Sequence, residues 1–227
     1  MRRVSVLVAA AGLGIAGYLT VVHYAGGEPV CAIAHGCATV QKSHYAELAG
    51  VPVALLGLLG YVLLYTAWLK PRTPQNIVIG GAAGAMPPLV GWAAATGGLS
   101  IEAFFPFLVV FLWTPPHFWA LALLISDDYK RTGIPMMPVA RGDAFTRRSI
   151  LLYAVLLVAF TLVPVATSMF GGVYLAAASV LGAAFIFGAT RLLRSRTNRD
   201  ALRLYLGSLA YLFLLFAAMA ADRLLAG

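Results

Sequence analysis

The sequence predicts an all-α membrane protein, a polytopic bundle of about seven transmembrane helices. Of its 227 residues, 61% are hydrophobic and only 11% are charged, and the mean hydropathy is +0.88. The apolar residues are also gathered into runs of about 20 residues, the length that crosses about 30 Å of hydrocarbon as a helix. Since little of the chain lies outside these runs, there is no room for a large soluble domain.

Seven apolar runs are long enough to be transmembrane helices. The first follows a basic start, as in a secretory signal, but it is longer than a typical signal core, so we expect a retained helix. Pro87 and Pro88 should kink the third, because proline removes a helical hydrogen bond. The runs are Val4–Tyr24, Val51–Leu69, Ile77–Thr96, Ile101–Ser126, Ser149–Ser168, Gly171–Leu192 and Leu202–Ala221.

The basic residues predict the orientation of the chain. Of the 16 lysines and arginines, all but Lys42 and Arg223 fall on one side when the runs alternate across the membrane. Because cytoplasmic loops carry an excess of Lys and Arg, we expect a multi-pass protein of the plasma (inner) membrane, with its amino terminus and the DDYKR loop in the cytoplasm. The net charge of +8 therefore reflects topology, and the run Arg191–Asp200 predicts contact with anionic lipid of the bilayer rather than with nucleic acid.

The loop expected on the outer side contains both cysteines, Cys31 and Cys37. Disulfides persist on that face of the membrane, and the six-residue separation permits one. A zinc site would need further ligands, which only His35 and His44 offer. A structural or redox disulfide is therefore favoured over a metal.

A cluster of charge follows the fourth apolar run. Asp127 and Asp128 are two of only eight acidic residues, and Lys130 and Arg131 come directly after them. Adjacent carboxylates repel each other unless cations neutralise them, and a hard divalent metal is the usual solution. The bases would hold an anion that the metal also touches, which predicts a diphosphate site. The cluster is equally typical of the charged end of a membrane helix, with Asp127 and Arg131 as an i,i+4 pair.

His117 is an ionisable residue at membrane depth. Pro115 and Pro116 can begin a helix before it, because proline is tolerated in a first helical turn. In a continuous helix, Asp128 would lie within about 20° of the face of His117 and about 16 Å farther along the axis. Such a histidine either has a functional role in the bundle interior or is a neutral side chain hydrogen-bonded to a nearby helix.

The string GCATVQKSHYAELAGVPVALLGLLGY resembles the vitamin K epoxide reductase family. The resemblance covers about residues 1–65 and implies a transmembrane hairpin with a two-cysteine outer loop. Cys31, Cys37 and Ser43 match the loop cysteines and the serine of that family. The chain has no further cysteine for the membrane CxxC pair, so the complete quinone-reducing site is not implied.

Three later strings resemble the protoheme IX farnesyltransferases, the heme O synthases among the UbiA-type prenyltransferases. They are YTAWLKPRTPQNIVIGGAAGAMPPLVGW, WTPPHFWALAL and DDYKRTGIPMMPV. The resemblance implies a UbiA-type carboxyl-terminal part over residues 66–227. The implied reaction transfers a farnesyl group from farnesyl diphosphate to a vinyl group of heme B, with Mg²⁺ held by aspartates.

This resemblance also implies roles for individual residues. Several have simpler explanations, since Lys70 and Arg72 would serve as membrane anchors and Asn76 as a helix cap. Met136 and Met137 are expected to provide apolar packing at the loop rather than bind heme. The implied roles are catalytic Mg²⁺ ligands for Asp127 and Asp128, diphosphate binding for Lys130, Arg131, Lys70, Arg72 and Asn76, and heme contact for His117.

One motif of the synthases, an earlier aspartate-rich string of the NxxxDxxxD kind, does not occur in the sequence. The only acids before Asp127 are Glu28, Glu47 and Glu102, all expected on the outer side. Half of the metal site is therefore missing, and activity would be partial or need a complementing membrane chain or a homo-oligomer. Two other classes stay open: a thiol or quinone oxidoreductase, and a non-catalytic membrane partner.

Overall fold

The computed structural model describes residues 17–22, 24–26, 47–48, 51–52, 60–96 and 98–226. These residues are mostly helical, which confirms the predicted all-α class. One short antiparallel pair joins β1 (Glu47–Leu48) to β2 (Val51–Pro52). The prediction that Val51 begins the second helix is therefore wrong. Val51 is extended because proline disfavours the helical conformation of the residue before it.

The remaining elements follow in chain order. Four stretches of the described chain are long and apolar enough to cross a membrane: Ile101–Leu124, Asp143–Val165, Gly172–Ser195 and Asn198–Leu225. They confirm the last four expected spans. The first expected span falls largely outside the described residues, the second is described only at residues 51–52 and 60–69, and the third is not among the four, so the count of seven is not confirmed. The elements are a π-helix (Gly60–Leu69), α1 (Asn76–Gly84), α2 (Met86–Thr96), a 3-10 turn (Ile101–Ala103), α3 (Phe104–Leu124), α4 (Ser126–Thr132), α5 (Met137–Arg141), α6 (Asp143–Ala166), α7 (Gly172–Ser195) and α8 (Asn198–Ala226).

The third expected span is divided into α1 and α2 at Ala85. Pro87 and Pro88 follow the break and stand in the first turn of α2, where a missing N–H is tolerated. The predicted disruption by these prolines is thus confirmed. It separates the run into helices of 9 and 11 residues.

The chain divides into two compact units. One unit comprises the residues up to Leu69 together with Met86–Phe107, and the other comprises Lys70–Ala85 and the chain from Leu108 onward. The second unit contains α1, most of α3, and α4 to α8. The predicted organisation into residues 1–65 and 66–227 stays a prediction.

Within the second unit, α6, α7 and α8 pack consecutively along the chain. Gly182 of α7 allows close packing on α6, because a Cβ at that position would lie 2.6 Å from Cγ1 of Val158. Small residues commonly permit such close approach between membrane helices. The buried side chains of Ile150, Leu157 and Ala178 lie in the same layer of helices.

The far end of α8 is bonded to the start of α7 by a buried carboxylate. Oδ2 of Asp222 accepts the backbone N–H of Gly171 at 2.6 Å, and Oδ1 accepts that of Tyr174 at 3.0 Å. The first N–H groups of a helix lack partners within the helix and carry partial positive charge. Asp222 therefore accepts hydrogen bonds from N–H groups at the start of α7, although it lies about 50 positions later in the chain.

Candidate active site

The acidic pair lies in the first turn of α4, directly beyond the fourth expected span. The chain leaves the helical conformation at Ile125, whose φ and ψ are −116° and 27°, so α3 and α4 are separate helices. Gly133 ends α4 with a φ of +69°, a left-handed conformation that glycine adopts without steric cost. The loop thus presents one short charged helix at the end of a membrane span.

Each carboxylate of the pair has a basic neighbour. Nζ of Lys130 lies 3.0 Å from Oδ1 of Asp127, and Nη1 of Arg131 lies 3.9 Å from Oδ1 of Asp128. Both are i,i+3 pairs, so the expected i,i+4 pair of Asp127 with Arg131 is wrong. The hydrogen bond from Lys130, its charge and the charge of Arg131 hold the pKa of the Asp127 carboxyl below its usual range. We call these four residues the α4 charge cluster.

The α4 charge cluster is better suited to a metal ion that the protein and a substrate bind together than to one bound by protein ligands alone. The two aspartate side chains are 80% and 72% exposed, and within the described residues no three His, Cys, Asp or Glu side chains converge to hold a metal. Mg²⁺ is usually bound by one or two carboxylates together with water and substrate phosphates. The donors therefore fit Mg²⁺ that a diphosphate also ligates.

His117 is buried between α3 and α8, with 5% of its surface exposed. Its Nδ1 lies 2.6 Å from Oγ of Ser208. Its ring stacks on Trp113 at 4.1 Å and on Tyr205 at 4.6 Å between centroids. This is the hydrogen-bonded histidine that the sequence left as one alternative, and contact with heme stays a prediction.

Ser208 bridges His117 and the Tyr205 carbonyl. Oγ of Ser208 donates to the Tyr205 carbonyl at 2.6 Å, and a hydroxyl has only one proton to donate. With the hydroxyl in this orientation, the contact with His117 uses an N–H at Nδ1, and the neutral ring then has its lone pair on Nε2. Nε1 of Trp113 donates to the Ser208 carbonyl at 2.8 Å, so three aromatic rings and one serine join α3 to α8.

Two expectations about the helix around His117 are wrong. The helix does not begin at Pro115, because α3 runs from Phe104 to Leu124 with both prolines inside it. Membrane helices tolerate internal proline where neighbouring groups satisfy the freed backbone. Since the helix also ends before Asp128, the calculation that places His117 and Asp128 on one face does not apply.

Asn76 is buried at the first position of α1. Its Nδ2 donates to the Lys70 carbonyl at 3.3 Å, and its Oδ1 is buried without a hydrogen-bond partner in the described structure. Gln75, not Asn76, occupies the capping position of α1, so the interpretation as a helix cap is wrong. Asn76 instead closes the turn that also contains Arg72.

Arg147 is a feature that the sequence analysis missed. It is 8% exposed, Nη2 bonds Oδ2 of Asp143 at 3.1 Å, and Nε is buried without a partner in the described structure. A buried guanidinium is costly unless paired, so an unused N–H marks a place where a ligand could bind. In the sequence, Arg147 looks like an exposed arginine that anchors a helix at the membrane edge. Only the packing of α6 shows that its side chain is buried.

The remaining predicted residues divide into two groups. Met136 and Met137 are buried, at 3% and 2% exposure, in agreement with the expected apolar packing at the loop. Cys31, Cys37 and Ser43 lie outside the described residues.

Known proteins with similar sequences point to one family. The model of the UbiA prenyltransferase family matches residues 2–217. A protoheme IX farnesyltransferase of Aromatoleum aromaticum is 52% identical over 182 residues, which are 80% of this chain and 60% of that relative. One from Azoarcus sp. is 53% identical over 173 residues (76% and 58%), and one from Thermus thermophilus is 52% identical over 178 residues (78% and 29%).

A solved structure supports the fold. It comes from work on digeranylgeranylglyceryl phosphate synthase and matches with a TM-score of 0.68 at 18% identity, covering 82% of this chain and 65% of that one. The chain spans only part of its relatives' length, 60% or less in the three described. Because the family match includes residues 2–65, it lends no support to a separate reductase family for the segment 1–65. The chain belongs to the UbiA prenyltransferase family.

Proposed function

We propose that this chain binds farnesyl diphosphate and takes part in its transfer to a vinyl group of heme B. The observation that carries the proposal is the α4 charge cluster, where two exposed carboxylates beside a candidate membrane span each have a basic neighbour. The relatives named protoheme IX farnesyltransferase support the choice of substrates.

In this proposal Asp127 and Asp128 hold Mg²⁺, which when bound would neutralise charge on the diphosphate and so favour its departure. Lys130 and Arg131 pair with the carboxylates only through exposed ion pairs, which are weak. Both bases can therefore exchange their carboxylate partners for a diphosphate, which carries more negative charge than a carboxylate. Lys70, Arg72 and Asn76 are proposed to hold the same diphosphate from the turn before α1.

The proposed reaction begins when the allylic carbon–oxygen bond breaks and its electron pair leaves with the diphosphate. The electrons of the heme vinyl group then form the new carbon–carbon bond to the farnesyl cation. Water adds to the resulting cation and loses a proton, which gives the hydroxyethylfarnesyl group. The cation must be shielded from water until the bond forms, which suits a site among membrane helices.

His117 is proposed to contact the acceptor. Trp113 and Tyr205 cover both faces of its ring, and Ser208 engages Nδ1. Contact with heme would therefore be made through the ring edge that carries Nε2. The stacked neighbours would hold that edge in one orientation.

The proposed orientation places the amino terminus and the α4 charge cluster in the cytoplasm. The four consecutive candidate spans support this orientation. If they cross the membrane in turn, the α3–α6 loop and the α7–α8 turn, which both carry bases, share one side. The turn at residues 167–171, which has no charged residue, is then on the other side. We further propose that a complementing membrane chain, or a second copy of this one, supplies the missing aspartates.

The test is heme O formation by the purified chain in nanodiscs with heme B, farnesyl diphosphate and Mg²⁺. Asp128→Asn removes the charge but keeps the volume of the side chain. Glu102→Gln is the matched control, since Glu102 lies at the opposite end of the same candidate span. A relative of full length provides the positive control.

Product that is formed by the wild type and by Glu102→Gln, but not by Asp128→Asn, supports the proposal. Product that persists in Asp128→Asn contradicts the assigned role of the cluster. If the chain makes no product alone, the assay is repeated with a relative inactivated in its first aspartate motif. Failure of that pair as well would overturn the proposed function.

A further inference from the structure

An open groove runs between α7 and α8, with a volume of about 360 Å³. Its walls are large apolar side chains such as Leu181, Phe187 and Leu214, and Gly188 and Gly207 leave room between the helices. A Cβ added at Gly207 would have no other heavy atom within 4 Å, so the space beside it is open. Both helices are candidate membrane spans, and the groove therefore faces a medium of hydrocarbon chains.

The groove is about as long as one leaflet of a bilayer. Along α7 it extends from Leu181 to Arg191, and along α8 from Asp200 to Leu214. At about 1.5 Å per residue these stretches are about 15 and 21 Å long. The hydrocarbon core of a bilayer is about 30 Å thick, so the groove accommodates a chain that extends from the membrane edge to the midplane.

One end of the groove is charged. Nε of Arg191 lies 3.0 Å from Oδ1 of Asp200, and Nη1 of Arg203 lies 3.3 Å from the same oxygen. Asp200 is buried, whereas the two arginine side chains are 51% and 50% exposed. Two guanidinium groups share one carboxylate, so this end keeps one net positive charge. Each guanidinium has five N–H donors, more than the bond to Asp200 uses.

The combination of an apolar groove and a cationic end matches one class of ligand. A phospholipid has an acyl chain of the required length and a phosphodiester with one negative charge, which equals the excess charge of the three residues. Basic pockets between membrane helices bind such head groups, and arginine pairs well with phosphate. A prenyl diphosphate carries more charge, and the single buried carboxylate here offers no pair of metal ligands to offset it.

We propose that the groove between α7 and α8 binds one anionic phospholipid, with its phosphate on Arg191 and Arg203 and one acyl chain along Gly207. Asp200 holds both guanidinium groups in place for the phosphate. This site is separate from the α4 charge cluster and does not depend on the proposed transferase activity.

The test measures lipid binding to the purified full chain in detergent by native mass spectrometry. The probes are phosphatidylglycerol and phosphatidylcholine with identical acyl chains, and farnesyl diphosphate is added as a competitor. Gly207→Leu fills the groove without removing any charge. The double variant Arg191→Gln/Arg203→Gln removes the phosphate ligands, and Arg194→Gln/Arg199→Gln is its control, because it removes the same charge from exposed positions of the same segment.

We expect one phosphatidylglycerol to bind saturably and more tightly than phosphatidylcholine. Gly207→Leu should weaken it by about tenfold, the loss expected when roughly two methylenes leave the groove. The Arg191/Arg203 variant should remove the preference for phosphatidylglycerol, and the Arg194/Arg199 variant should keep it. Equal binding of both lipids, or unchanged binding in Gly207→Leu, overturns the proposal. Displacement by farnesyl diphosphate at one-to-one stoichiometry also overturns it and assigns the groove to the prenyl substrate.

Discussion

Nδ1 of His117 on α3 lies 2.6 Å from Oγ of Ser208 on α8, and this hydrogen bond joins residues that are 91 positions apart in the chain. The backbone carbonyl of the same serine accepts a hydrogen bond from the indole N–H of Trp113. One position of α8 therefore orients two aromatic side chains of α3. The contact between α3 and α8 therefore includes a buried hydrogen bond between His117 and Ser208, and removing either partner leaves the other unsatisfied.

Ser208→Ala should destabilise the protein. The change removes the hydroxyl that contacts Nδ1 of His117 in a buried site, and losing the partner of a buried polar group costs about 1 to 3 kcal/mol. Thermal unfolding in detergent should show a lower midpoint than wild type. Ser179→Ala on the exposed face of α7 is the matched control and should leave the midpoint unchanged. An equal midpoint for Ser208→Ala and wild type would contradict the role of this hydrogen bond.

The fold class and the last four spans could be predicted because they depend on local composition. A run of about 20 apolar residues has few stable alternatives to a membrane helix. The position of the break before α2 was also local, since Pro87 and Pro88 cannot continue the preceding hydrogen-bond pattern. The acidic pair was identified from charge alone.

The surroundings of the site could not be predicted, because they depend on contacts between distant segments. Nothing near His117 in the sequence identifies Ser208 as its partner. Proline in a helix is favoured in the first turn, but Pro115 and Pro116 lie inside α3. The helix ends instead at Leu124, where no glycine or proline marks the break. Burial of Arg147 likewise follows from the packing of α6, not from its neighbours in the chain.

Gly182→Ala should disrupt the contact between α6 and α7. A Cβ at this position lies 2.6 Å from Cγ1 of Val158, so the helices must separate or Val158 must change its rotamer. Overpacking of this kind costs about 1 to 3 kcal/mol. Thermal unfolding of the variant in detergent measures the loss.

The double variant Gly182→Ala/Val158→Ala tests the stated cause. It removes the clashing methyl groups and should recover part of the stability lost by Gly182→Ala, although it removes apolar contact elsewhere. Gly84→Ala is the control for helix propensity, because a Cβ there has no heavy atom within 4 Å. If Val158→Ala lowers the midpoint of Gly182→Ala by as much as it lowers the midpoint of the wild type, the clash with Val158 is not the cause.

Single cysteines on the two sides of α6 should report the proposed orientation. In a Cys31→Ser/Cys37→Ser background, cysteine is introduced at Thr132, beyond the α4 charge cluster, or at Thr167 in the turn after α6. Both positions are exposed. A membrane-impermeant maleimide added to spheroplasts should label Thr167→Cys and should label Thr132→Cys only after lysis. The reverse pattern would place the α4 charge cluster outside the cytoplasm.

Lys130→Met should raise the pKa of Asp127. In the folded protein, the hydrogen bond and charge of Lys130 lower this pKa, so the pair stabilises the fold while Asp127 is ionised and loses that contribution as the pH falls through the lowered value. Titration of a ¹³C-labelled aspartate carboxyl by NMR, assigned with Asp127→Asn, measures the midpoint. Wild type should titrate below the ordinary range of about 3.9, and Lys130→Met should move the midpoint up toward it. Arg148→Met, which removes an exposed charge on α6, should leave it unchanged. Equal midpoints in wild type and Lys130→Met would mean that the lysine does not hold the carboxylate in solution and is already available to an anionic ligand.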